Sequence, residues 1–206
     1  MFKFCGVENK LKIRRFQIRC EDSLEYMSKV PDGHFDCVIT DPPYFGFGFS
    51  EENYFSRFEP FLREMARCSV GTIAISQPNQ RLSSLAKLLN SNSVLQVPNA
   101  FADGRGAPAY FLMANPVIKE PPKAENWVGL PGSEHPNHRD VNKMSLLVKM
   151  MSRPGDTVLD PFCGSAAIGL AAVLFGRNYL GIEVGSDRAE EARNRLSQVG
   201  AIGLEM

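Results

Sequence analysis

The sequence predicts an α/β fold, a doubly wound and mostly parallel sheet with helices on both faces. Three observations carry that expectation. Short apolar, β-branched runs recur along the chain, and helical patterns separate several of them. The runs are nearly continuously apolar rather than alternating, as strands covered on both faces are. With 206 residues, 44% of them hydrophobic, the chain can bury one core and is short enough that a single domain, residues 1–206, is the expected count.

The elements follow in order. Ile13 to Cys20, "IRRFQIRC", reads as the first strand and Ser23 to Lys29 as a short helix; "FDCVIT", Phe35 to Thr40, is the next strand. Glu52 to Cys68 carries a long helical pattern, "GTIAIS" from Gly71 to Ser76 a strand, and Gln80 to Leu89 a helix. Val94 to Val97 and Ala109 to Met113 are two further strand candidates. The closing third alternates cleanly: helix Val141 to Met151, strand Thr157 to Leu159, helix Ala166 to Phe175, strand Tyr179 to Val184, helix Asp187 to Gln198. Between Val97 and His138 the rhythm breaks into "NAFADGRGAPAYF", "KEPPKAENW" and "GLPGSEHPNH", rich in Gly, Pro and Asn. That segment is therefore expected to be mostly loops around one or two strands, and a small functional insertion is expected at about residues 77–134.

Composition narrows the function. The 23 basic and 23 acidic residues balance, so the overall electropositivity of an avid nonspecific nucleic-acid binder is missing. Cys5, Cys20, Cys37, Cys68 and Cys163 form no CxxC pair and have no histidine at ligand spacing; they read as reduced cysteines, and no metal is expected. No apolar run approaches the roughly 18 residues that span a bilayer, and the amino terminus lacks a signal-peptide core. A cytoplasmic protein is the expectation.

Two motifs carry chemistry. In "GDTVLDPFCGSAAIGLAA", Gly155 to Ala172, a buried strand runs into a turn of small residues and an Ala-rich helix. Small residues at the carboxyl end of such a strand let the backbone approach a nucleotide-like ligand, with Gly164 as the closest point. The GxGxxG phosphate cradle is absent, so a dinucleotide is not the first choice. Nineteen residues beyond Gly164, Glu183 ends the next strand, where an acid can accept hydrogen bonds from a ribose diol. The plainer alternative is that Asp160 and Glu183 cap helices and the glycines make turns.

The second motif is "DPPY", Asp41 to Tyr44, directly after the strand "FDCVIT". Pro42 and Pro43 fix their own φ and restrict the residue before each, giving a preorganised tip. Asp41 and the Pro42 carbonyl present acceptors, and Tyr44 offers a ring on which a planar substrate can stack. An amino group conjugated to a base is a poor nucleophile; two acceptors holding its hydrogens favour a pyramidal nitrogen with a freer lone pair. The plainer alternative is a Pro-Pro turn with Tyr44 at a sheet edge. Phe45 is near enough to help line the pocket, while Phe47 and Phe49, interleaved with Gly46 and Gly48, read as a flap.

Together, "DPPY" upstream of "DPFCGS" closely resembles the S-adenosylmethionine-dependent DNA amino-methyltransferases that modify adenine N6 or cytosine N4, in the permuted order of their β group. The resemblance extends to "CEDSLEYMSKVPDGHFDCVITDPPY" and to "HPNHRDVNKMSLLVKMMSRPGDTVLDPFCGSAAIGLAAVLFGRNYLGIEVGSDRAEEARNRL". It implies a Rossmann-like methyltransferase sheet, S-adenosylmethionine as cofactor and double-stranded DNA as partner, with a homodimer left open. It gives Asp41, Pro42, Pro43 and Tyr44 the catalytic, base-holding role. Asp160, Phe162, Cys163, Gly164 and Ser165 match the FxGxG-type cofactor loop, and Glu183 the ribose acid. Asp22 matches an acid near the cofactor adenine, and His135 the histidine of the family's HPTQKP segment. Three positions depart from the pattern: Ala166 replaces the second glycine of FxGxG, Arg139 and Asp140 stand where Lys and Pro are usual, and Glu21 replaces a glycine before Asp22.

Adenine N6 is the expected target, because cytosine members more often begin the motif with Ser. Cytosine N4, RNA methylation, protein glutamine methylation and a catalytically silent binding module are the alternatives. On the DNA side, Arg105 in "FADGRGAPAY" is placed to read a base edge. Lys10 to Arg15 either faces phosphates or is a solvated strand edge, and Trp127 is either core or a stacking residue. Cys163 reads as a packing residue and not as a nucleophile.

Overall fold

The computed structural model describes residues 16–43, 50, 53–77, 93–96, 110–114 and 141–199. Within them the order is β1 (Phe16–Cys20), α1 (Ser23–Ser28), β2 (Cys37–Thr40), α2 (Tyr54–Cys68), β3 (Ile73–Gln77), β4 (Ser93–Gln96) and β5 (Tyr110–Ala114). Then follow α3 (Val141–Met151), β6 (Thr157–Asp160), α4 (Ala167–Leu174), β7 (Asn178–Glu183) and α5 (Ser186–Gln198). The helix expected over Gln80 to Leu89 and residues 13–15 of the first expected strand lie outside the described residues. The other expected elements are present, with ends displaced by three residues at most.

Seven strands form one sheet in the order β1-β7-β6-β2-β3-β5-β4. Pairing is parallel from β1 across to β3, and β5 runs antiparallel to both β3 and β4. The doubly wound, mostly parallel architecture is thus as expected. Within residues 77–134, β4 and β5 complete the central sheet, so that segment is not wholly an addition to it.

Side chains on successive strand residues point to opposite faces, and β2, β3, β6 and β7 split their apolar residues between two cores. On one face Phe16, Ile18, Cys37, Ile39, Ala74, Val158 and Tyr179 meet residues of α3, α4 and α5. On the other, Val38, Ile73, Ile75, Leu159, Leu180 and Ile182 meet Met27 of α1 and the buried stripe of α2. That stripe is Tyr54, Phe58, Leu62, Met65 and Cys68, a spacing of three and four residues that keeps one helix face inward. This two-sided burial is why the strands read as continuous apolar runs.

α4 lies close on β7 at Gly169. A Cβ there would lie 2.5 Å from the Tyr179 ring, so glycine lets α4 lie directly on β7. Gly169→Ala gains helix propensity but overpacks a rigid buried ring, a fault that costs about 1 to 3 kcal/mol. The expected outcome is a melting temperature lowered by roughly 2 to 6 °C, read by thermal unfolding; an unchanged or raised value would show that Tyr179 can move aside.

Candidate active site

The parallel strands all end at the same edge of the sheet, and their carboxyl ends bring the motif residues together. From β6 the chain turns over one face through α4, and from β2 over the other through α2. The two central strands therefore flank the switch point at which ligands of doubly wound folds bind. A cleft of about 810 Å³ opens there, lined by Asp22, Asp41, Pro43, Gly164 and Glu183 among others. The volume is in the range of sites that take ligands of drug or cofactor size.

The loop from Asp160 to Ala166 is built from unusual backbone. Gly164 has φ +50°, and Ala166, the N-cap of α4, has φ 59° and ψ 43°. Both lie in the left-handed region, where glycine is at ease and a Cβ is strained. This gives a physical reason for a glycine at the Ala166 position in the FxGxG pattern: the turn demands the conformation, and Ala166 adopts it regardless. The Cys163 amide donates to the Ile182 carbonyl at 2.9 Å, fastening the loop to β7. Burial raises the Cys163 thiol well above its usual range, and the Asp160 and Glu183 carboxylates add to the rise. The thiol is thus held protonated, in keeping with packing rather than attack.

Glu183 reaches the cleft from the end of β7. Its Oε2 accepts from the Gly164 amide at 3.1 Å and its Oε1 from the Gly185 amide at 2.9 Å. Each oxygen keeps a further lone pair for a ligand hydroxyl. Asp22 caps α1, its Oδ1 accepting from the Glu25 amide at 2.9 Å, and also borders the cleft. Ser165 Oγ accepts from Arg195 Nη1 of α5 at 2.7 Å. Phe162 packs against Phe61 of α2, ring centroids 5.1 Å apart.

Asp41 and Pro43 line the same cleft, and Pro42 between them is buried. The structure therefore joins the acidic tip to the loop of residues 160–166, about 120 residues away in sequence. Tyr44, Phe45, Arg105, Trp127 and His135 lie outside the described residues. Asp160 lines the cleft as well, at its buried floor. It is 1% exposed, and its carboxylate accepts from Thr40 Oγ1, Tyr179 OH and the Phe162 amide at 2.7, 3.0 and 3.3 Å. Sequence reasoning missed Thr40 and Tyr179, which look like ordinary strand formers. It also missed Arg57, Arg188 and Glu191, which line the cleft from α2 and α5. Their only signal was that a buried acid must have donors somewhere in the chain.

Charge around the cleft is informative. Glu21, Asp22, Asp41, Glu183 and Glu191 face Arg57 and Arg188, a predominantly acidic lining that favours a cationic ligand over a polyphosphate. Among the described residues there is no group of His, Cys, Asp and Glu able to hold a metal ion, and no helix long and apolar enough to cross a membrane.

The structure is a doubly wound α/β domain with a ligand cleft at its switch point, and comparison with known proteins shows what it is similar to. Residues 111–194 match the DNA methylase model of N6 and N4 methyltransferases. It is 24% identical over 202 residues to the putative methylase YubD of Escherichia coli, covering 86% of this chain and 88% of that one. It is 34% identical over 93 residues to the DNA adenine methyltransferase YhdJ of E. coli, of which it spans about a third, 32%. The structure of TTHA0409 from Thermus thermophilus, a putative DNA modification methylase complexed with S-adenosyl-L-methionine, superposes with a TM-score of 0.66 at 21% identity. That match covers 92% of this chain and all of the other, and it confirms the fold.

Proposed function

We propose that the protein transfers a methyl group from S-adenosylmethionine to the exocyclic N6 amino group of adenine in double-stranded DNA. The observation that carries the reading is the meeting, in one acidic cleft, of the Asp41 tip with the Gly164 loop and Glu183. The family match and the similarity to an adenine methyltransferase support it. The donor set fits this cofactor: Glu183 suits a ribose diol, and the acidic lining suits a sulfonium and an ammonium.

When bound, the cofactor supplies a methyl group already activated on sulfur. The chain's task is then orientation and exclusion of water. Glu183 and the open backbone at Gly164, beside which a Cβ would meet nothing within 4 Å, would hold the nucleoside part. Phe61 and Phe162 form an apolar wall. Asp41 would accept a hydrogen bond from the target amino group and hold its lone pair toward the methyl group, on a tip that two prolines keep stiff. A base stacked in a duplex cannot reach this cleft, so it must be turned out at a cost of a few kcal/mol. Tyr44 would offset about 1 to 3 kcal/mol by stacking, with Phe45 beside it.

In this reading Arg105 and the remainder of residues 77–134 serve target recognition within one catalytic domain. His135 and Asp22 border the cofactor, and the setting is the cytoplasm of a bacterial, archaeal or phage-infected cell. A second copy of the chain is the other partner, tested by sedimentation with and without DNA. The main test is to incubate the protein with unmethylated DNA and labelled cofactor and identify the modified base. N6-methyladenine is expected; N4-methylcytosine, or label in RNA alone, would overturn the choice of substrate.

Glu183→Ala supplies a second check. Losing charged hydrogen bonds of about 1.5 to 3 kcal/mol should raise the cofactor Kd roughly 10- to 100-fold in calorimetry. An unchanged Kd would remove Glu183 from the cofactor site.

A further inference from the structure

We propose that Thr40, Asp160 and Tyr179 form a buried hydrogen-bonded strut across the switch point, which sets the spacing between the Asp41 tip and the cofactor loop. All three are thus positioning residues for methyl transfer. The proposal rests on the methyl-transfer reading above and goes beyond it by giving Asp160 a role other than contact with the cofactor.

The main-chain register shows why a strut is needed. Pairing of β2 with β6 covers Cys37 with Val158 and Val38 with Leu159, yet β2 continues to Thr40 and β6 to Asp160. On its other side β2 stays paired with β3 out to Thr40 opposite Ile75. The pairing of the two central strands therefore stops short of their ends, at the edge of the sheet where the cleft lies. At that point main-chain bonds no longer set the distance between the residue before Asp41 and the residues that start the cofactor loop.

A side-chain bond takes over. Thr40 Oγ1 donates to Asp160 Oδ1 at 2.7 Å, both residues being 1% exposed or less. Asp160 Oδ1 also accepts from the Phe162 amide inside the loop at 3.3 Å. Its Oδ2 accepts from Tyr179 OH at 3.0 Å, so the same carboxylate reaches β2, the loop and β7. Tyr179 is itself immobilised: a Cβ at Gly169 would lie 2.5 Å from its ring and one at Gly181 2.9 Å, leaving the ring little room to tilt. Gly169 and Gly181 both pack close to the Cε1 edge of the ring, which holds the hydroxyl in place. Burial of this kind is unfavourable for an acid unless its acceptors are filled, and here they are filled by the groups whose spacing matters.

In-line transfer is sensitive to that spacing, since a displacement of about 1 Å can cost on the order of 100-fold in rate. Thr40→Val keeps the shape and removes the hydroxyl; Thr40→Ser keeps the hydroxyl and removes the methyl group. With DNA that the wild-type chain methylates, Thr40→Val is expected to lower kcat roughly 10- to 100-fold while the cofactor Kd stays within about twofold. Thr40→Ser is expected to restore most of the rate, and Tyr179→Phe to give the same separation of kcat from Kd. A Thr40→Val chain with wild-type kcat, or a loss that Thr40→Ser does not restore, overturns the strut. A crystal structure of Thr40→Val with the demethylated cofactor supplies a readout that needs no methyl acceptor. A changed spacing between residues 41–43 and 161–164 supports the strut, and an unchanged spacing overturns it even if the acceptor proves not to be DNA.

Discussion

Asp41→Ala is expected to lower methyl transfer to DNA by about 100-fold to 10,000-fold, the range associated with removing a group that holds or relieves the reacting atom. Cofactor affinity should stay within about twofold. The two effects separate because of where the residue stands. Glu183 ends β7 and Gly164 lies in the loop that follows β6, whereas Asp41 directly follows β2. Truncating it leaves both bonds of Glu183 to backbone amides in place. It also leaves Pro42 buried and Pro43 at the cleft wall, so the stiffness of the tip persists without its acceptor. Single-turnover rates and calorimetric cofactor binding on the same preparation provide the measurement. A mutant that turns over at the wild-type rate would show that the amino group is held by something else. A mutant that loses cofactor binding in proportion to activity would place Asp41 in the cofactor site.

Much of this arrangement was legible in the sequence, and the parts that were share a cause. Strands buried on both faces leave an uninterrupted apolar signature, so β2, β3, β6 and β7 were located to within two residues. The chemistry was legible where it depended on backbone constraint: Asp41 is followed by two prolines, and Gly164 lies in a run of small residues that few other folds require. The antiparallel direction of β5 was not legible, since a strand's direction is set by its connections and not by its own residues. Nor was the partnership of Thr40, Asp160 and Tyr179. Thr and Tyr are good strand formers, and nothing local marks a hydroxyl that will meet an acid 120 or 19 residues away. Ala166 is an intermediate case. Its identity departs from the family pattern, and only its φ of 59° explains why the pattern favours glycine there.

The burial of Asp160 has a consequence for stability that can be measured apart from activity. Burial pushes this carboxyl up to about 7, with the hydrogen bonds from Thr40, Tyr179 and the Phe162 amide pulling it down and the charge of Asp41 raising it further. The Tyr179 hydroxyl and the Cys163 thiol, which also face Asp160, are themselves raised by burial, so neither supplies a compensating charge. In the unfolded chain an aspartate titrates near about 3.9. Between about pH 4 and 7 the unfolded state therefore loses this proton while the folded state keeps it. The folded state binds more protons across that window, so stability from this group is fully present below about pH 4 and declines as pH rises. At about 1.4 kcal/mol per unit over some three units, the decline approaches roughly 4 kcal/mol by pH 7. Asp160→Asn, uncharged in both states, should lack it. Urea unfolding at several pH values from 4.5 to 8 is expected to show the mutant gaining stability relative to wild type as pH increases, the contributions shared by both chains cancelling in the difference. A difference independent of pH would mean that the carboxyl is ionised in the folded chain throughout. The bonds from Thr40 and Tyr179 would then hold a full negative charge beneath the cofactor loop.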